Sequence, residues 1–282
     1  MPENAKTREI KALITLLGDE DFCVRDIARE RLLSVGQQAV TALERIAASD
    51  AEGRIRIEAK SILEKHRLDQ LAQEFHRLNE TTDFDLERAA FILARMEYPE
   101  VDEKKYTHQV DDLAMKAMKR ISDEREEKRR VELLGKFLFE EEGFLGNADG
   151  YYDPQNSYIN RVLDRHLGIP ISLSALYLFV AKRLQLPVQG VAFPGHFLVK
   201  YDFDSDFIFI DAFNGGQVLT LSECAEFLKR MGYPFADVSL VPAKPKDILA
   251  RMMRNLVLIY SQNNQTHKID TLEQIFSDLV KK

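Results

Sequence analysis

Residues 165–187 read RHLGIPISLSALYLFVAKRLQLP, and the rest of the chain is organised around this stretch. Gly168-Ile169-Pro170 opens a helix, because proline suits the first helical position: its missing N–H would be unpaired there anyway. From Pro170 to about residue 184, Ile171, Leu173, Leu176, Leu178, Phe179, Val180 and Leu184 lie nearly all around the helix, which predicts a buried central helix. Three short β-prone stretches follow, VQGVAF, HFLVKY and FIFID, separated by Pro194-Gly195 and by residues 202–206. A buried helix followed by a small antiparallel sheet predicts an α+β fold.

The second and third stretches carry His196 and Asp211. In an antiparallel pair the length of the connection decides which side chains share a face. A two- or four-residue connection, Phe203-Asp204 or residues 202–205, seats His196 directly opposite Asp211 on the same face, with Cβ atoms about 5 Å apart. A three- or five-residue connection sends them to opposite faces. The bland alternative is a strand-end histidine and an aspartate capping the turn at Asn214-Gly215-Gly216.

Working outward, residues 144–160 (FLGNADGYYDPQNSYIN) are rich in Gly, Asn, Asp, Pro and Tyr and read as a loop. A short helix from about Tyr158 to Arg165 follows, with Asn156 or Ser157 as its cap and its end at Gly168. LSECAEFLKRMG reads as a helix capped at Ser222, and residues 246–279 as a helical hairpin broken near SQNNQTHK. Residues 69–139 are helical. Glu124 with Lys128 and Glu126 with Arg130 have i,i+4 spacing, worth about 0.3 kcal/mol each, so this charge run predicts a solvated helix face.

The first 68 residues read as helix after helix. VRDIARERLL (24–33) recurs as IRIEAKSILE (55–64), matching Arg25 with Arg56, Ala28 with Ala59 and Leu32 with Leu63. Small alanines at matched places let helices approach, while leucines fill a shared core. This segment resembles HEAT-type repeats and reads as a helical arm. Three segments result: an arm (1–68), a central domain (69–243) and a terminal hairpin (244–282).

The chain has 282 residues, 45% hydrophobic and 30% charged, with a formal net charge of -7. That balance argues against a phosphate-binding surface spread over the whole protein, and no nucleic-acid partner is expected. No apolar run approaches the roughly 20 residues that span a bilayer, so no membrane partner is expected. Nor does the amino terminus have the apolar core of a signal peptide. Two cysteines, Cys23 and Cys224, suggest no disulfide framework, and the expected setting is the cytoplasm. The histidines show no metal-ligand spacing and no phosphate loop is present, so neither metal nor cofactor is expected.

A central helix followed by a hairpin bearing His and Asp is the layout of papain-like and transglutaminase-like cysteine enzymes. NSYINRVLDR, GIPISL, PGHFLV, FIDAFNGGQVLT and ILARMMRNLVLIY occur in an order that resembles the SirB family of transglutaminase-like proteins over about residues 70–280. The final hairpin resembles the start of that family's tetratricopeptide-like tail. Against the enzymes' pattern, His196 falls on the histidine, Asp211 on the aspartate and Pro170 on the nucleophilic cysteine. Proline cannot attack a carbonyl.

Neighbours are poor substitutes. At 100° per residue Ser172 points to another face, and Ser174 lies a turn deeper. Cys224, in a helix first turn that would lower its pKa, reads as a packed thiol, and Cys23 reads as core of the arm. Asn156, Ser157, Tyr158, Ser174 and Asn214 are candidates to line the cleft. The resulting expectation is a non-catalytic protein- or peptide-binding or regulatory module. The alternative is a hydrolase or acyl-transfer enzyme using a displaced serine or a water activated by His196 and Asp211. Direct DNA contact is disfavoured by the acidic charge.

Overall fold

A computed structural model describes residues 4–49, 53–204, 206–230, 232–234 and 240–280. Two compact units divide the chain, residues 1–73 and 74–282.

The first unit contains α1 (Ala5–Leu16), α2 (Phe22–Val35), α3 (Gln37–Ala47) and the beginning of α4 (Gly53–Asn79). Side-chain caps start two of them: Asn4 accepts from the Lys6 N–H and Asp21 from the Cys23 N–H. Gly36, at φ 86°, separates α2 from α3. Ile10, Leu17, Leu32, Leu43 and Ile62 form the core, with Ala28 and Ala59 of the matched segments both buried in it. Arg29 donates to Glu58 at 2.6 Å beside that core. Cys23 is a correction to the sequence reading: it is exposed in the first turn of α2, away from the apolar stripe.

The second unit begins with α5 (Leu86–Ala94), α6 (Glu103–Ile121) and α7 (Glu127–Lys136), which widens into a π-turn at Phe137–Glu141. The chain breaks between α6 and α7, and Glu124 lies in the break, accepting from the N–H groups of Arg125 and Glu126. The two expected helical ion pairs are therefore absent as such: Glu124 precedes α7, and Glu126 is its N-cap.

Next come β1 (Leu145–Gly146), a 3-10 turn at Pro154–Asn156, α8 (Ile159–Arg165), β2 (Leu167–Gly168) and the central α9 (Pro170–Arg183). The expected cap of α8 is corrected: Tyr158 is the N-cap residue and neither Asn156 nor Ser157 caps it. The loop also holds one element that alternation could not reveal, the two-residue parallel pairing of β1 with β2.

Pro170 is the first residue of α9, and nearly every residue through Ala181 is buried. The helix packs against β3 (Val188–Phe193), β4 (His196–Phe203), α6, α7 and α8, and the Tyr177 hydroxyl donates to the Val131 carbonyl at 2.6 Å. Each Leu or Phe buried here contributes about 1.5–3 kcal/mol. A buried polar group generally needs a built-in partner, and Tyr177 has one.

The sheet runs β3-β4-β5-β6, all antiparallel, with β5 (Asp206–Asp211) and β6 (Gln217–Leu219). Val191, Phe193, Leu198 and Phe209 pack on one face against Cys224 and Leu228 of α10 (Leu221–Arg230). α10 is capped by Thr220, not Ser222: the Glu223 N–H donates to the Thr220 hydroxyl while Glu223 accepts from the Thr220 N–H. α11 (Pro245–Gln262) and α12 (Thr266–Val280) form an antiparallel-type hairpin within the second unit, and α11 also packs on α5 and α9.

The register of β4 and β5 corrects the expectation. Phe203 pairs with Asp206, so the connection is two residues long but sits at positions 204–205, one step later than Phe203-Asp204. Val199 pairs with Ile210, which brings Asp211 opposite Leu198 and leaves His196 two residues further along the same face. The parity is that of a same-face pair, and the contact is diagonal.

Candidate functional site

His196 stands at the start of β4, immediately after the Pro194-Gly195 turn, where Gly195 takes φ 68°. The turn is two residues long because Phe193 pairs with His196. Both His196 and Asp211 are buried, 7% and 4% exposed, so neither relies on water for its partners. His196 Nε2 donates to Asp211 Oδ2 at 2.8 Å. The same carboxylate accepts from the Asn214 side-chain amide at 2.8 Å and, through Oδ1, from the N–H groups of Phe213 and Asn214 at 3.1 Å. Asp211 thus orients the imidazole and caps the turn at once, which joins the two readings of the sequence.

These contacts set the electrostatics. Burial pushes the Asp211 carboxyl upward, but the hydrogen bond and charge of His196, with the Asn214 donors, hold it below the usual carboxylate value. Cys224 behaves oppositely to the first-turn expectation: burial, helped by Asp211 and Glu223, pushes its thiol up to about 12. A thiol so protonated and so buried is a packing group.

His196 opens onto a cleft of about 440 Å³ lined by Tyr151, Pro170, His196, Arg251 and Asn255 among others, with the exposed Tyr152 and Leu258 at its rim. Pro170 and His196 therefore face one cavity, and the first turn of α9 presents no hydroxyl or thiol to it. Among the described residues the histidine's remaining ring nitrogen, Nδ1, makes no hydrogen bond. An aromatic series leads from the rim inward: Tyr152 on Tyr151, Tyr151 on Phe213, and Phe213 edge-on to His196 at 6.1 Å. Phe213 is held there by Gly146, where an added Cβ would come within 2.3 Å of the Phe213 carbonyl oxygen.

The five expected cleft-lining residues lie elsewhere, each for a structural reason. Asn156 is buried and organises the preceding loop: it donates to the Gly150 carbonyl at 2.7 Å and accepts from Asn147, while its own carbonyl accepts from Ser172. Ser157 is buried beside it. Tyr158 is buried in a hydroxyl pair with Tyr260, which donates to Glu97. Ser174 is fully buried and its hydroxyl reaches the Phe197 carbonyl. Asn214 is spent on Asp211. Ser172, also fully buried, accepts from the Ile169 N–H and fixes the helix start.

Arg251 is the residue that sequence reasoning missed. Its Nη2 donates to the carbonyls of Phe193 at 2.8 Å and His196 at 2.9 Å, so it clamps both ends of the turn that presents the histidine. Among the described residues no carboxylate pairs with it. Burial lowers its pKa from the ordinary value, with Arg254 acting the same way and Tyr151 opposing. Arg251, Asn255 and Leu258 have i, i+4, i+7 spacing on α11, a stripe that was readable in the sequence. Among the described residues, no group of three His, Cys, Asp or Glu side chains is placed to hold a metal ion, and no helix is long and apolar enough to cross a membrane.

Comparison with known proteins identifies relatives of this chain. A family model described as the transglutaminase-like superfamily matches residues 104–254. A UPF0162 protein of Xylella fastidiosa is 38% identical over 186 residues, covering 62% of this chain and 65% of the relative. A UPF0162 protein of Pseudomonas aeruginosa is 30% identical over 197 residues, covering 69% of this chain and 68% of the relative. Human F-box only protein 21 is 37% identical over 135 residues, which is 45% of this chain and 21% of that protein. The chain thus spans slightly less than two thirds of the length of the Xylella relative. No solved structure matches. The matched region contains α9, His196, Asp211 and Arg251, and by it the chain belongs to the transglutaminase-like superfamily.

Proposed function

We propose that this protein is a non-catalytic member of the superfamily, of the SirB type, that binds a protein or peptide in the cleft beside His196. The observation that carries the reading is Pro170: the first residue of α9, lining the same cavity as the histidine, is one that cannot act as a nucleophile. Transglutaminase-like chemistry needs a thiolate where the helix N-terminus and an imidazole both stabilise it. With that group absent, His196 and Asp211 still order the sheet end and offer polar partners to a ligand. A cleft of this volume with an aromatic rim suits a few residues of extended chain. The α-helices of the first unit, read as HEAT-like, supply a second surface of the kind used for protein partners. The expected setting is cytoplasmic.

A second reading, hydrolysis by a water held at His196, is favoured by one observation: among the described residues Nδ1 has no hydrogen bond. A pool of fluorophore-labelled random peptides separates the two. Saturable binding with the peptides recovered intact supports the binding module. Cleaved peptides, with cleavage abolished in His196→Ala, support the hydrolase.

A further inference from the structure

We infer that the cleft recognises a free carboxylate through Arg251 and Asn255, an inference that rests on the binding reading above and names its ligand chemistry. Three observations carry it. First, Arg251 lines the cleft with no carboxylate partner among the described residues, in contrast to Arg183, which is paired with Glu87 and Asp111. Its Nη2 donates to the carbonyls of Phe193 and His196, and among the described residues Nε and Nη1 make no hydrogen bond. Both bidentate edges of a guanidinium include Nη2, so what remains for a carboxylate is a charge-assisted hydrogen bond from Nη1 or Nε singly.

Second, Asn255 lines the same cavity one helical turn along α11, and among the described residues its side-chain amide makes no hydrogen bond. It is a further donor with nothing of its own to hold. Third, the charge balance selects the anion. Arg251 brings one uncompensated positive charge, while Asp211, held as the carboxylate, stands directly behind His196. A single negative charge is matched by the guanidinium. A phosphate dianion would place a second negative charge close to Asp211, and among the described residues no further cation lines the cleft. The rim of Tyr152 and Leu258 then receives apolar substituents next to the carboxylate.

A carboxylate of this kind comes from the C-terminus of a peptide or from a small organic acid. The test uses random peptides with a free C-terminal acid, the same pool as C-terminal amides, and acetate. Binding is followed by fluorescence anisotropy for the peptides and by the NMR signals of the Arg251 Nε–H and His196 ring for all three. The expected result is that the acid pool binds about tenfold or more tightly than the amide pool, the loss of one charge-assisted pairing. Because Arg251 also clamps the turn, Arg251→Gln is accompanied by Asn255→Asp, which leaves the clamp intact and sets a negative charge against the ligand. Both variants lose the preference for the acid.

Acid peptides far stronger than acetate identify a chain terminus as the source. Acetate shifting both signals when neither pool binds supports the carboxylate site, assigns it to a small acid and overturns the peptide reading. Acid and amide pools binding alike overturns the carboxylate inference and leaves peptide binding standing. An acid preference unchanged by Asn255→Asp overturns it as well, and so does the absence of any response to all three probes.

Discussion

His196 and Asp211 meet diagonally across β4 and β5, Nε2 to Oδ2 at 2.8 Å, and the same carboxylate closes the turn that follows β5. One side chain therefore couples the orientation of the histidine to the shape of the sheet end. Removing it leaves the His196 N–H, the Asn214 amide and two backbone N–H groups without their acceptor. Asp211→Ala should cost about 2–4 kcal/mol, since hydrogen bonds to a charged group are worth about 1.5–3 kcal/mol and buried donors left unpaired add to the loss. Urea denaturation measures this, and a loss below about 1 kcal/mol would mean the turn holds without the carboxylate.

The same pair fixes the sign of a pH effect. The folded-state pKa of Asp211 lies below its ordinary value, so the unfolded chain binds the proton more readily. The stability it contributes is fully present above the ordinary value of about 4 and is lost as pH falls through the lower folded value. Thermal melts between neutral pH and the acid limb should show wild type losing more stability on acidification than Asp211→Asn. Parallel acid limbs would remove Asp211 from the account.

How much of this was legible in the sequence follows from particular residues. The buried α9, the three strands and the shared face of His196 and Asp211 were all readable, because period and parity survive a shift of two residues. The register was not: moving the connection by one position preserves every face, and in the observed register Asp204 takes φ 50°. β6 escaped notice because three residues after Gly215-Gly216 are too few to alternate. Arg251 was hidden by its company. Within an amphipathic helix it reads as one more solvated charge, and only the long-range contact with the turn at 193–196 makes it part of a site. Cys23 followed the apolar count of its segment but fell on the outer side of a first turn.

Gly146 offers a test of how the aromatic series is held. A methyl group there would collide with the Phe213 carbonyl and ring, neither of which can yield without moving the turn after Asp211. Gly146→Ala should destabilise by about 1–3 kcal/mol, the usual cost of overpacking, and should shift the His196 ring resonances. Unchanged stability and unchanged resonances would show that Phe213 does not buttress the histidine.

Pro170 can be given the missing group. In Pro170→Cys the thiol stands at the first position of α9, where backbone N–H groups and the helix dipole favour thiolate, across the cleft from His196. On a Cys23→Ser background, which removes the exposed thiol, this cysteine should react with iodoacetamide about tenfold faster than an ordinary thiol at neutral pH. Adding His196→Ala should remove most of that gain. Ordinary reactivity, indifferent to the histidine, would indicate that the cleft no longer retains the enzyme geometry.

The central claim is that the cleft keeps a histidine and an aspartate and has no nucleophile to go with them. Intact-protein mass spectrometry of the Cys23→Ser protein, after exposure to a fluorophosphonate, an iodoacetamide and an activated ester, tests it most directly. The account predicts no adduct on any residue lining the cleft, while Pro170→Cys treated in the same way gains one that depends on His196. A stoichiometric adduct on a residue lining the cleft, or on the buried Ser172 or Ser174 behind it, in the protein with its native Pro170 would contradict it.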